Sequence, residues 1–299
     1  MKMSKRDLVA GVLVTVLWGC NFSVIELGLR SLDPYLLTLL RFVFCAMPLV
    51  FFVKRPAGIS YGVLALYGVM FGAGLWWVVN FAMYQGLSPG MSSVFLQFSA
   101  FFTILLSSLL LGERVSGVHL CGMASAACGL IMILALGGES STVTGVLLVL
   151  IAALAWSLCN LVVKLKRPAD MVAFIIWSSL FSVPAIFVLT VAANGWASFA
   201  VLAGGIAWEA LFSVLFQSYI TTILGYLVWN NLMKKYPAAQ VAPLSLLVPV
   251  SGLVASYLFF GEQMSIAKAI AIGFVLLGIL IFVNAHNLQR IMRGRGLTE

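Results

Sequence analysis

Ten apolar runs follow one another along the chain, each about as long as a bilayer is thick and separated by short polar breaks. A spanning helix needs about 20 apolar residues, and only helices or closed barrels satisfy their backbone groups in hydrocarbon. The runs are continuous rather than alternating in polarity, which predicts helices and not barrel strands. The predicted spans are 8–28, 34–53, 61–84, 90–111, 116–136, 143–164, 171–192, 209–233, 238–260 and 265–286. The longest connection, 193–208, is too short for a domain. The pattern predicts an all-α membrane protein with ten transmembrane helices.

Composition agrees. The 299 residues are 63% hydrophobic and 9% charged, where soluble domains carry about 25% charged residues. A water-soluble core could not hide this much apolar surface. The five cysteines (Cys20, Cys45, Cys121, Cys128 and Cys159) all lie in apolar runs, without the spacing of a metal site. Packing is the expected role for them, and no metal or cofactor is predicted. The net charge of +8 does not indicate a nucleic-acid partner, because the basic residues sit at the ends of apolar segments. Of the 17 Lys and Arg, 14 fall on the side of the N-terminus, Arg30 and Lys268 fall on the other side, and Arg41 lies inside the second span. Cytoplasmic loops carry the excess of Lys and Arg, so both termini are expected in the cytoplasm. The basic start MKMSKRD lacks a convincing small-residue cleavage site, and the first run is read as a retained helix.

The stretch from Pro89 to Glu113, PGMSSVFLQFSAFFTILLSSLLLGE, has an echo from Ala238 to Glu262, AAQVAPLSLLVPVSGLVASYLFFGE. At a constant offset of 149, Ser107, Gly112, Glu113, Ser116 and Gly129 fall on Ser256, Gly261, Glu262, Ser265 and Gly278. The chain therefore reads as two five-helix repeats, 8–136 and 143–286, with basic cytoplasmic tails at 1–7 and 287–299. Five is odd, so the second repeat enters the membrane from the opposite side. Inverted repeats of this kind build secondary transporters, with the solute site near mid-membrane at the repeat interface. Trp18 matches Trp156, and Pro48 has a counterpart in Pro184. Both prolines are expected to bend their helices.

The segments Trp18-Gly19-Cys20-Asn21-Phe22, Asp33-Pro34 with Arg41-Phe42, Leu111-Gly112-Glu113, and Val241-Ala242-Pro243 through Pro249 carry a family resemblance. On them the chain resembles the EamA-type branch of the drug/metabolite transporter superfamily, over essentially its whole length. The resemblance implies ten helices in two EamA repeats around a central cavity, in a bacterial inner membrane, and export of metabolites, often amino acids. The stretch 243–249 and the run Gln97 to Ile104 resemble exporters of cysteine and O-acetylserine, and aromatic amino-acid exporters are relatives. One departure is that Arg114 is matched by Gln263.

Candidate solute-binding residues come from polar and aromatic groups inside the spans. Trp76, Trp77, Asn80 and Tyr84 share one face of a regular helix. Asn at mid-helix should face the bundle or a cavity, although an interfacial aromatic belt also accounts for the rings. Span eight repeats the idea with Tyr219, Thr222, Tyr226 and Trp229 or Asn230. Ser93, Gln97 and Phe101 line another face. Trp18 with Asn21, Trp156 with Asn160, and Trp177 add further rings and amides. Pro243 and Pro249 deprive the carbonyls of Ala239 and Ser245 of helical partners. Those carbonyls either face a solute or are satisfied internally, with Ser245 as one source of a donor. The prolines, with Glu113 and Glu262 at helix ends, are the candidate hinges, caps or gates. Arg41 is expected to snorkel or to pair with Glu26 or Asp33, and a role in holding a substrate carboxylate is the other reading.

No Asp or Glu falls clearly at mid-helix, and His119 and His286 lie near span ends. Proton-coupled carriers use intramembrane acid or His relays, so facilitated rather than proton-coupled transport is expected. There is no GxxxxGK[ST] phosphate loop and no catalytic cluster. These absences argue against an ATP-driven pump and against an enzyme. The expected partners are a small-molecule solute and the lipid bilayer, with no obligate protein partner. Large neutral or aromatic amino acids suit the rings. Cysteine-like solutes, sugars and drugs are the alternatives.

Overall fold

In the computed structural model, residues 3–112, 115–136, 142–236, 241–285 and 288 are described. Ten apolar helices dominate them. They are α1 (Lys5–Leu29), α2 (Pro34–Phe51), α3 (Tyr61–Tyr84), α4 (Pro89–Leu111), α5 (Gly117–Leu136), α6 (Val143–Lys166), α7 (Met171–Asn194), α8 (Trp208–Met233), α9 (Leu244–Phe260) and α10 (Ile266–Phe282). The first eight are long and apolar enough to cross a membrane, and the last two are shorter apolar helices. A short helix, Ala197–Ala203, lies in the connection before α8. The protein is an all-α membrane protein of ten helices, as the hydropathy pattern predicts.

Local sequence sets the helix boundaries. Ser4, Asp33, Ser88, Thr142, Asp170 and Ser265 each cap a helix by accepting backbone N–H groups of its first turn. Asp33-Pro34 is such a start, with proline placed where its missing N–H costs nothing. Gly112 and Gly261 close α4 and α9 in the left-handed region, with φ of 67° and 65°. An L side chain is strained there and glycine is not. The Gly-Glu echo in the sequence is therefore the same helix stop used twice.

Packing obeys the same two-fold relation. Exchanging α1–α5 with α6–α10 maps the α1–α9 contact onto α6–α4, the α3–α6 contact onto α8–α1, and the α3–α7 contact onto α8–α2. The α2–α7, α4–α9 and α5–α10 contacts map onto themselves. Irregular backbone recurs too. A π-helical segment occupies Met70–Trp77 in α3 and Phe216–Leu224 in α8. A 3₁₀ turn occupies Leu96–Phe98 in α4 and Ala242–Leu246 at the start of α9.

The two prolines expected to bend helices differ. Pro184 lies inside α7. Regular helix in α2 instead stops at Ala46, and Met47 is extended (φ −103°, ψ 135°), as the residue before a proline prefers. Glu113, the Ala239 carbonyl and the side chain of Pro243 lie outside the described residues. The Ser245 carbonyl accepts from the Leu247 amide, so Pro249 does not leave it bare.

Outward faces carry exposed leucines and phenylalanines such as Leu109, Leu110 and Phe259, which hydrocarbon would cover. The α5–α10 seam is close. A Cβ at Gly129 would stand 2.4 Å from the Ala271 carbonyl oxygen, and one at Gly278 would stand 2.5 Å from that of Gly122. Small residues at such seams let backbones approach where hydrophobic burial gives no drive. Gly129→Val is expected to lower stability by about 1–3 kcal/mol, the range for overpacking. Thermal unfolding in detergent reads this, with Gly273→Ala as the silent control because nothing lies within 4 Å of its Cβ position.

Candidate functional site

Near the middle of the spans, between the repeats, seven helices enclose a cavity of about 50 Å³. Trp18, Asn21 and Phe22 come from α1, Arg41 from α2, and Trp76 from α3. Leu96 and Gln97 come from α4, Trp156 from α6, Thr221 and Tyr226 from α8, and Val248 from α9. The irregular segments converge here. Trp76 lies in one π segment and Thr221 in the other, while Gln97 lies in a 3₁₀ turn. Such departures from regular helix are frequent at functional sites.

The lining is cross-braced. Trp18 donates its indole N–H to the Thr221 carbonyl at 2.8 Å and packs on Tyr226, with ring centroids 5.6 Å apart. Thr221 donates to Asn21 Oδ1 at 3.3 Å. Arg41 is 1% exposed. It donates to Gln217 Oε1 and to Thr222 Oγ1, each at 3.1 Å, and its guanidinium carbon lies 3.8 Å from the Trp76 ring centre. Gln217 in turn donates to Ser213 Oγ at 2.9 Å, and Thr222 Oγ1 donates to the Gln217 carbonyl five residues back at 2.8 Å. Arg41 thus neither snorkels nor pairs with Asp33, which is engaged as the α2 cap. Its head is held in the bundle by polar groups on the widened turn of α8.

Of the sequence-predicted set, Trp18, Asn21, Trp76, Gln97, Trp156 and Tyr226 meet at the cavity. The others stand elsewhere. Trp77 stacks on Phe81 and contacts Tyr35. Asn80 donates to Thr38, Asn160 donates to Thr103, and Trp177 donates to the Val53 carbonyl. Phe101 packs edge-on against Phe282, and Tyr84 is 60% exposed. Ser245 lies in the 3₁₀ turn that opens α9. The cavity adds Phe22, Leu96, Thr221 and Val248, and it also holds Arg41, whose role toward a solute was the second reading of that residue. For Arg41 the signal was present in the sequence, since an ionisable residue at membrane depth marks function by default.

Polar contacts tie helices together at both ends of the bundle. At the end holding the α3–α4 turn, Ser88 and Ser256 donate to the Glu262 carboxylate. At the N-terminal end Lys235 pairs with Asp7 at 2.6 Å, Tyr236 donates to the same carboxylate, and the Ser4 amide donates to Tyr236. Asp7 holds the Lys235 ammonium above its ordinary pKa.

The sequence profile of the EamA-like transporter family matches the chain twice, at residues 6–135 and 143–284. The chain belongs to the EamA-like transporter family. It is 35% identical to a probable amino-acid metabolite efflux pump of Escherichia coli, over 96% of this chain and 97% of that protein. Its identity to a probable amino-acid metabolite efflux pump of Salmonella typhimurium is 33%, over 98% and 100%. A probable terminal-alkyne amino-acid exporter of Streptantibioticus cattleyicolor is 25% identical over 88% of each chain. A crystallised protein 20% identical shares the fold, with a TM-score of 0.56 over 93% of this chain and 97% of that one. This EamA-family protein is a multi-pass membrane transporter.

Proposed function

We propose that this EamA-family protein exports amino acids, large neutral and aromatic ones foremost, by alternating access across the bacterial inner membrane, with both termini in the cytoplasm. The observation that carries the proposal is a cavity at the repeat interface, lined by Trp18, Trp76, Trp156, Tyr226, Asn21 and Gln97, where irregular backbone from both repeats converges. Rings suit stacking on an apolar side chain, and amides suit the polar end of an amino acid. The names of the relatives point to the same solute class. No carboxylate lines the cavity among the described residues, which favours facilitated over proton-coupled movement.

The present cavity is far below the roughly 300 Å³ at which small-molecule sites begin. A large amino acid therefore requires the repeats to separate, as an alternating mechanism provides. The same observation favours a second reading, in which the solute is small and cysteine-like.

The test is counterflow of labelled tryptophan, phenylalanine, threonine and cysteine into liposomes holding the purified protein. Tryptophan and phenylalanine should accumulate without a pH gradient. Trp156→Ala should lower the signal about tenfold, the factor that a lost stacking contact near the top of its range gives. Accumulation of cysteine alone selects the second reading. Accumulation of none of the four defeats both, and uptake that needs a pH gradient defeats the facilitated mechanism.

A further inference from the structure

We infer that Arg41 receives the carboxylate of the transported solute, so that the cavity selects acids over the matching amides and amines. The inference rests on the proposed exporter role and adds a selection rule to it. A guanidinium has five N–H donors in a planar fork. Arg41 uses one on Gln217 and one on Thr222. Its Nε is buried without a hydrogen-bond partner, and so is the indole nitrogen of Trp76 against which the guanidinium lies. Among the described residues Arg41 makes no ion pair. A full positive charge is therefore held at membrane depth, at the wall of a cavity, with only neutral neighbours among the described residues.

A buried charge without a counter-ion is costly, and natural spans pair such groups or use them. Here the orphaned groups are donors and the local charge is positive, so the missing chemistry is an anionic acceptor. A carboxylate supplies two oxygens in the geometry that an arginine fork matches. Gln217 and Thr222 then act as positioning residues. They fix the guanidinium against α8, and Ser218 fixes the backbone of the same residue by donating to the Arg41 carbonyl at 2.9 Å. The remaining walls carry Trp18, Trp156 and Tyr226, whose ring faces attract an ammonium group. The cavity thus offers one pole for each charge of a zwitterion.

A purely structural Arg41, bracing α2 against α8, would leave solute preference untouched, so preference is the readout. Labelled phenylalanine counterflow is measured in liposomes against unlabelled phenylalanine, phenylacetate, phenylalaninamide and phenethylamine. In the wild-type protein the two carboxylates should inhibit at concentrations at least about tenfold below those of the amide and amine. In Arg41→Gln, checked for folding by size-exclusion profile, that advantage should shrink to less than about threefold. Inhibition of the wild type by the amide as strong as by phenylalanine overturns the inference and leaves the exporter role standing. A full acid preference surviving in folded Arg41→Gln overturns it as well. Should that variant not fold, Arg41→Lys takes its place: inhibition by the two carboxylates should weaken at least about threefold with the amide and amine unchanged, and carboxylate inhibition equal to wild type overturns the inference.

If the wild type accumulates no phenylalanine, the inference is judged by heating the purified wild type, and if it accumulates no amino acid at all the exporter role fails. A melting temperature raised by phenylacetate and not by phenylacetamide supports it. Equal shifts, or none, reject it.

Discussion

Gly19→Ala is expected to abolish most transport, at least about tenfold, and Gly19→Leu to prevent recovery of folded protein. A Cβ at Gly19 would lie 2.0 Å from Ser251 Oγ, 2.4 Å from the Val248 carbonyl oxygen and 2.8 Å from the Gly252 nitrogen. The hydroxyl can rotate away; the backbone of α9 cannot without moving the helix. Gly252 is itself closed in, since its Cβ would lie 2.3 Å from Ser93 Oγ. Helices α1, α9 and α4 therefore cross through one point, and each also lines the cavity. A single methyl group there separates α1 from α9 and moves Trp18, the neighbouring residue, away from Tyr226. Overpacking of this kind costs about 1–3 kcal/mol even where a core relaxes. The comparison is counterflow by Gly19→Ala and by Gly273→Ala at matched protein content. Wild-type transport in folded Gly19→Ala would show that the crossing does not hold the site.

The ten spans were legible because length and continuous apolarity follow directly from bilayer thickness, and capping residues mark their ends. The repeat was legible at Gly112 and Gly261 because a helix stop in the left-handed region demands the same residue in both copies. Side-chain direction inside α3 was not. Placing Trp76, Trp77, Asn80 and Tyr84 on one face assumes 100° per residue throughout. Trp76 and Trp77 stand at the two edges of that face, about 100° apart, so Trp76 meets the cavity while Trp77 turns to Tyr35 and Phe81. Arg41 was misplaced for a different reason. Its partners Gln217 and Thr222 sit in the π segment of α8, more than 170 residues away, and no local pattern announces that pairing. Asn160 and Trp177 show the limit from the other side. Where an amide or an indole in a span is partnered, a neighbouring hydroxyl or carbonyl satisfies it as well as a solute does.

Glu262→Gln is expected to open the end of the bundle that holds the α3–α4 turn. The Glu262 carboxylate accepts from Ser88, which caps α4, and from Ser256 inside α9. It thereby ties α9 to the start of α4 across the line where the repeats meet. It also lies against the N-terminus of α4, where a negative charge is favoured. Hydrogen bonds to charged groups contribute about 1.5–3 kcal/mol, against about 0.5–1.5 for neutral ones. Losing the charge at both contacts should raise the population open at that end by about tenfold or more.

The opposite tie, Lys235 to Asp7, joins side chains 53% and 21% exposed and is the weaker of the two. The asymmetry predicts that Glu262→Gln changes access far more than Asp7→Asn does. A single cysteine at position 248, on the cavity wall, reports this in a background with the five native cysteines replaced. Its rate of reaction with an impermeant maleimide added from the Glu262 side should rise about tenfold in Glu262→Gln and change little in Asp7→Asn. Equal rates in all three proteins, each folded, would remove Glu262 from the gate. A larger effect from Asp7→Asn on the same side would place the dominant tie at the N-terminal end instead.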